Sequence, residues 1–187
     1  RQNLDCRFAL EYKYTTRILR ELLDGKCDLG ICGDFPETAE FAALDHTLLW
    51  INPNTLIVGK NHRFVSMDKV RVEDLRDETF VVWNHSNLGT NKNLIDVCKP
   101  HGFLPNFGTE AFNDMGVLSA VAMGEGIASL PIKQDLDLSA VVRVTLEDAD
   151  LCQKVFLAWR KGAILPPAAK RFKDFLINAV KEPPFVC

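Results

Sequence analysis

An α/β architecture is the fold class that this 187-residue sequence predicts, and three observations predict it. Short apolar runs alternate with segments whose apolar residues recur at helical spacing. Glycine and proline fall at the joints between them. The chain is 47% hydrophobic and 25% charged, enough to bury a core in one domain or in two small lobes. Strands and helices in alternation point to largely parallel sheets covered by helices rather than to a bundle or a sandwich.

Leu4 to Glu11 alternates apolar and polar residues and reads as a strand. After the turn at Tyr12 to Thr16, the residues Ile18, Leu19, Leu22 and Leu23 mark one face of a helix, and Gly25 stands where a left-handed cap ends it. Cys27 to Cys32 reads as a buried strand that closes a right-handed strand–helix–strand crossover. Phe80 to Trp83 is a further strand, and the polar loop from Asn84 to Asn91 leads to a helix through Leu94, Ile95 and Cys98 that Pro100 and Gly102 stop. A third helix from about Met115 carries Val117, Leu118, Val121 and Ala122. Gly124 and Gly126 behind it are a cap and a tight turn, because a G-x-G that follows a helix has the wrong polarity for a phosphate loop. Ile127 to Leu130 and Val155 to Trp159 are strands. Pro166-Pro167 then opens a last helix with Phe172, Phe175, Leu176 and Ala179 on its face, since a first helical turn has no use for the missing N–H.

Charge and composition exclude several classes of function. A formal net charge of −3 and a pI near 5.8 offer no basic surplus to attract phosphate backbones. No apolar run approaches the roughly 18 residues of a membrane span, and Arg1 to Asp5 has none of the apolar core of a secretory signal. The six cysteines are scattered and read as buried thiols in a reducing cytoplasm. The four histidines are isolated, so a metal site needs convergence from distant loops; no metal and no cofactor are assigned. No nucleophile elbow, H-E-x-x-H, P-loop or cysteine–histidine neighbourhood occurs, and Asp45, His46 and Glu110 read as ordinary loop residues, so no catalytic residue is assigned.

Four segments in order carry a resemblance. Leu22-Leu23-Asp24-Gly25-Lys26-Cys27-Asp28-Leu29-Gly30-Ile31 resembles the L-x-x-G-x-x-D-hydrophobic-x-hydrophobic signature of the effector-binding domain of LysR-type transcriptional regulators. Leu56 to Phe64 is similar to that family's strand leading into H-P-L, with Arg63 in place of the usual proline. Val72 to Val81 matches its hydrophobic-x-D-L-x-x-x-x-hydrophobic step, and Val121 to Pro131 its V-x-x-G-x-G-I-x-x-L-P. The resemblance implies a periplasmic-binding-protein type 2 fold, in which two Rossmann-like lobes are joined by two crossover strands and a small-molecule effector occupies the cleft. The first lobe is then expected at residues 1–53 plus 157–187 and the second at 54–156. It also implies a cytoplasmic homodimer or tetramer, with the helices from Arg17 to Asp24 and from Met115 to Met123 as pairing candidates. DNA is then bound only through a separate N-terminal winged helix-turn-helix absent from this chain, and the family's pattern opens with a strand and helix ahead of Leu4, which are expected to precede this sequence in the protein rather than to be missing from its first sheet. A transporter's solute-binding protein or an enzyme on the same fold remains the alternative.

Candidate ligand residues lie where strands hand over to helices, because helix N-termini present free N–H groups and a partial positive charge there. Thr15 and Thr16 precede the first helix, Ser86, Asn87, Gly89, Thr90 and Asn91 the second, and Asn113 and Asp114 the third; Gly33 and Asp34 follow a strand end. The resemblance places family ligand contacts at Thr15, at Gly89, Thr90 and Asn91, and at Asn113 and Asp114. Capping alone explains serine, threonine, asparagine and aspartate at such positions, so both roles stay open. A small organic anion is the expected ligand, although Asp34 and Asp114 add negative charge.

Overall fold

The computed structural model describes residues 7–83, 90–131 and 137–180. It resolves into two compact units, Arg1–Ile51 with Lys154–Val186, and Asn52–Gln153. The chain passes between them twice, in β2 (Leu44–Gly59) and in β7 (Cys152–Arg160).

In the first unit, α1 (Thr15–Leu23) ends in a Schellman motif. Gly25 at φ +70° donates its N–H to Leu22 O and Lys26 donates to Glu21 O, which is the cap expected at Gly25. Leu19 and Leu22 are fully buried. The helix lies so close on β1 (Gly30–Gly33) that a Cβ at Gly30 would come within 2.4 Å of Ile18 Cγ2. β1 pairs antiparallel with β7, from Gly30 opposite Ala158 to Gly33 opposite Val155, and β7 lies between β1 and β2. The last helix, α4 (Pro167–Ala179), starts at the expected proline pair and buries Ala169, while Phe175 on its expected inner face is exposed. Phe172 instead meets Phe8 with ring centroids 5.2 Å apart, and Lys173 Nζ caps the Trp159 ring at 4.0 Å.

The strand expected from Leu4 to Glu11 does not form over its described part. Residues 7–14 have no regular structure, and Phe8, Leu10 and Tyr12 are exposed. Alternation specifies which residues share a face but supplies no partner strand, and among the described residues nothing pairs with this segment. The first expected crossover is therefore not closed there.

The second unit is built on β3 (Thr79–Trp83), which pairs parallel with β4 (Asn106–Ala111) and bridges in parallel to Ile127, just ahead of β5 (Ala128–Pro131). β2 pairs antiparallel with β5 on one side and with β6 (Val141–Val144) on the other. The sheets are thus mixed, not largely parallel. Two helices complete the unit, α2 (Thr90–Cys98) after β3 and α3 (Asp114–Ala122) after β4. Strand alternation splits the core in two: Leu56, Val58, Phe80 and Val82 pack with Leu94 and Cys98 of α2, while Ile57, Val81, Ala128 and Leu130 pack with Val117 and Val121 of α3.

Arg63, in the place of the family's proline, ties this unit together. Its Nε donates to Glu78 Oε1 at 2.8 Å and its Nη2 to Asp74 O at 2.6 Å. His62 Nδ1 accepts the Phe64 N–H, so Nε2, 3.1 Å from Glu78 Oε2, carries the ring proton.

Candidate functional site

Within the first unit, the structure brings Thr15, Gly33 and Asp34 together. The Thr15 hydroxyl, in the first turn of α1, donates to Gly33 O at 3.3 Å. Asp34 adopts a left-handed backbone, φ +38°, and exchanges two bonds with β7. Its N–H donates to Lys154 O at 2.6 Å and its Oδ1 accepts the Lys154 N–H at 2.9 Å. Its carboxylate therefore fixes the end of β1. Thr16 follows on α1, half-buried.

Within the second unit, Thr90 is the first residue of α2 and Asn91 the next, with Asn91 only 7% exposed. Asn113 caps α3: its Oδ1 accepts the Gly116 N–H at 2.8 Å, and the backbone is extended at φ −157°. Asp114 occupies the first turn, where its charge suits the helix dipole. Ser86, Asn87 and Gly89 lie outside the described residues.

Asn91 borders a small depression together with Val81, Val82, Trp83, Leu94, Val117, Ser129 and Leu130. It lies at the carboxyl ends of β3 and β5, where α2 and α3 converge, and its volume of ≈ 10 Å³ is that of one water. In open α/β sheets this is where ligands bind. Every lining side chain is uncharged. Ser129 is 7% exposed in a strand that is otherwise wholly apolar and buried, and its Oγ accepts from Asn54 Nδ2 at 3.2 Å. Trp83, Ser129 and Asn54 are residues that reading strand–helix junctions misses. The available signal was a lone polar residue inside an apolar strand at Ser129; Asn54 sits among Asn52 and Thr55 and gives no such signal.

Among the described residues, the buried thiols Cys32 and Cys98 carry none of the marks of a reactive site. Burial pushes Cys32 up to about 12 and Cys98 up to about 11, so both stay protonated near neutrality. Cys152, half-buried, receives the Asn93 side chain: its N–H donates to Asn93 Oδ1 at 3.0 Å.

Comparison with known proteins identifies a family and a fold. The family model of the LysR substrate binding domain matches residues 1–181. The chain is 23% identical over 169 residues to the uncharacterized HTH-type transcriptional regulator YnfL of Escherichia coli (strain K12), covering 89% of this chain and 56% of that protein. It is 25% identical over 169 residues to the transcriptional dual regulator GltC of Bacillus subtilis (strain 168), covering 89% of this chain and 54% of the other. The chain thus spans a little over half the length of these curated relatives. Among solved structures, the effector-binding domain of QuiR in complex with shikimate superposes with a TM-score of 0.78 at 23% identity, over 93% of this chain and 81% of that one. The regulatory domain of CcmR from Synechocystis PCC6803, in complex with 2-PG, gives 0.75 at 19% identity, over 93% and 83%. These likenesses establish the fold, which is that of the periplasmic-binding-protein type 2 class.

Proposed function

Because the chain belongs to the LysR substrate-binding domain family, we propose that it is the effector-sensing regulatory segment of a LysR-type transcription factor. The observation that carries this is the family match across residues 1–181, and the uncharged depression at the strand ends of the second unit supports it. The reading makes the segment a sensor and not a catalyst, acting in the cytoplasm; among the described residues no helix is long and apolar enough to cross a membrane.

The proposed effector contacts are Thr15, Thr16, Gly33 and Asp34 in the first unit, and Thr90, Asn91, Asn113 and Asp114 with Trp83 and Ser129 in the second. Ser86, Asn87 and Gly89 complete the loop before α2. The effector is a small organic molecule whose acid group, where it has one, is received by the N–H groups that open a helix. QuiR with shikimate and BenM with benzoate support a carboxylate. Binding biases the conformation of a homo-oligomer by its differential affinity for two states, commonly about 1–3 kcal/mol of coupling. DNA is contacted through a separate helix-turn-helix segment. An exposed stripe on α3, Met115, Ser119 and Met123, supports that helix as a pairing surface.

Calorimetric titration with a panel of small carboxylates and neutral aromatics tests the reading. The expected result is one class of binder whose affinity is lost in Asn91→Leu and Thr15→Val while circular dichroism shows both variants folded. Full affinity in both variants refutes the proposed contacts, and binding of neutral compounds alone refutes the acidic effector.

A further inference from the structure

None of the four histidines stands in a metal-ligand spacing in the sequence, yet the fold gives one of them two carboxylates. Glu73 stands on the 3-10 turn Val72–Leu75, His101 on the 3-10 turn Lys99–His101, and Asp148 in the segment ahead of β7. One donor atom from each lies within 4.8 Å of the others. All three belong to the second unit, away from the strand ends that border the depression.

We propose that Glu73, His101 and Asp148 form a binding site for a divalent transition metal ion of the zinc class. One imidazole nitrogen and two carboxylate oxygens are the donor set such ions take, and three protein ligands leave a fourth position for water. Ligand atoms about 2.0–2.2 Å from one ion lie roughly 3–4 Å apart, so the 4.8 Å spread closes by side-chain rotation. Glu73 and Asp148 are exposed and His101 is half-buried.

The surroundings suit such an ion. Asp148 is anchored through one oxygen, since Oδ1 accepts the Val72 N–H at 3.0 Å, and its second oxygen is the one to coordinate. His101 is anchored through its backbone, whose carbonyl accepts from Arg76 Nη2 at 2.9 Å. That arginine is further engaged over the Phe103 ring at 4.6 Å. Lys69 and Arg71 are paired with Glu147. The bond the ion must replace is that between His101 Nδ1 and Glu73 Oε1, 2.6 Å apart. The ion would tie three separately folded turns together and stabilise the second unit by mass action.

Zinc titration of the intact chain, by calorimetry and by thermal unfolding, tests the site. Because thiols also bind zinc, the decisive comparison is with His101→Ala and Asp148→Asn; an asparagine there still accepts the Val72 N–H. The expected result is one zinc per chain and a raised melting temperature, with affinity down about tenfold or more in each variant. Two results overturn the proposal: no zinc bound by the wild-type chain, or zinc bound equally by both variants. Should His101→Ala prove unfolded by circular dichroism, Asp148→Asn alone decides.

Discussion

Gly124 and Gly126 belong to one motif, yet the structure requires glycine at each for a different reason, and alanine at each should therefore cost a different amount. Gly124 is the left-handed residue of a Schellman cap on α3, at φ +83°, with its N–H on Val121 O and the following Glu125 N–H on Ala120 O. A Cβ there meets nothing within 4 Å, so alanine costs only the left-handed backbone, about 1 kcal/mol. Gly126, at φ +152°, sits in a region that only glycine populates readily, worth about 1–3 kcal/mol. A Cβ there would also lie 2.3 Å from the Thr79 carbonyl oxygen. That oxygen cannot retreat without loosening the bond it accepts from Ile127 N at 2.9 Å and the neighbouring Val81 N–H to Ile127 O bond at 2.8 Å, which join β3 to β5. Each buried backbone bond lost costs about 1–3 kcal/mol, so Gly126→Ala should destabilise by roughly 3–5 kcal/mol. Urea unfolding of both variants, followed by circular dichroism and tryptophan fluorescence, measures the difference. Equal destabilisation by the two substitutions would refute the claim that close approach to Thr79, and not capping, dictates the second glycine.

Among the described cysteines, native alkylation with iodoacetamide near pH 8, mapped by mass spectrometry, should modify half-exposed Cys27 and Cys152 ahead of Cys32 and Cys98, whose burial holds them at about 12 and about 11. Labelling of Cys98 at the rate of Cys152 contradicts that packing. Asn113→Ala should cost about 1 kcal/mol by removing the cap on Gly116, while Asn113→Asp, which keeps an acceptor oxygen, should cost far less; equal losses in urea unfolding rule out the capping role. Glu21, bonded first by Lys13 and then by Arg17, and Glu147, bonded by Lys69 and Arg71, are both held below the usual carboxylate range. Their stabilisation is complete above the unfolded carboxyl value and is lost as pH falls through the lower folded one. The melting temperature should therefore be flat from pH 7 to about 5 and fall below about pH 4. A melting temperature that holds or rises in acid is the contrary result.

Helix ends were legible because capping is local. Gly25 and Gly124 each stand two residues past the end of their helix, Gly102 at φ +78° closes the turn after α2, and Pro167 opens α4, all readable without knowing what packs on them. Strands whose existence depends on a neighbour were not. β4, Asn106–Ala111, is largely exposed, interrupted by Gly108 and without apolar alternation; it is a strand because β3 offers it a parallel edge. The alternating residues from Phe8 to Tyr12 are the converse, a good strand pattern that has no partner among the described residues. The same division runs through the candidate site. Polar residues at strand–helix junctions could be picked out, whereas Trp83 and Ser129 reach the depression only because β3 and β5 lie side by side. Glu73, His101 and Asp148 come from three turns that only the tertiary fold assembles.

Which of the junction residues can read an effector follows from what each has already committed. Thr15 uses its hydroxyl proton on Gly33 O, so toward a ligand it is an acceptor. Asn113 uses Oδ1 on Gly116 N–H, so what it can offer is the Nδ2 donor. Asp34 has Oδ1 on the Lys154 N–H, a bond that holds β1 to β7. Capping and recognition are then not rival explanations for these side chains but successive claims on different atoms of the same group. Asn113→Asp separates the two claims. It preserves the acceptor that caps α3 and replaces the donor with an anionic oxygen. If Asn113 recognises a carboxylate through Nδ2, this variant should stay as stable as the parent and lose the ligand; if it only caps, it should keep both.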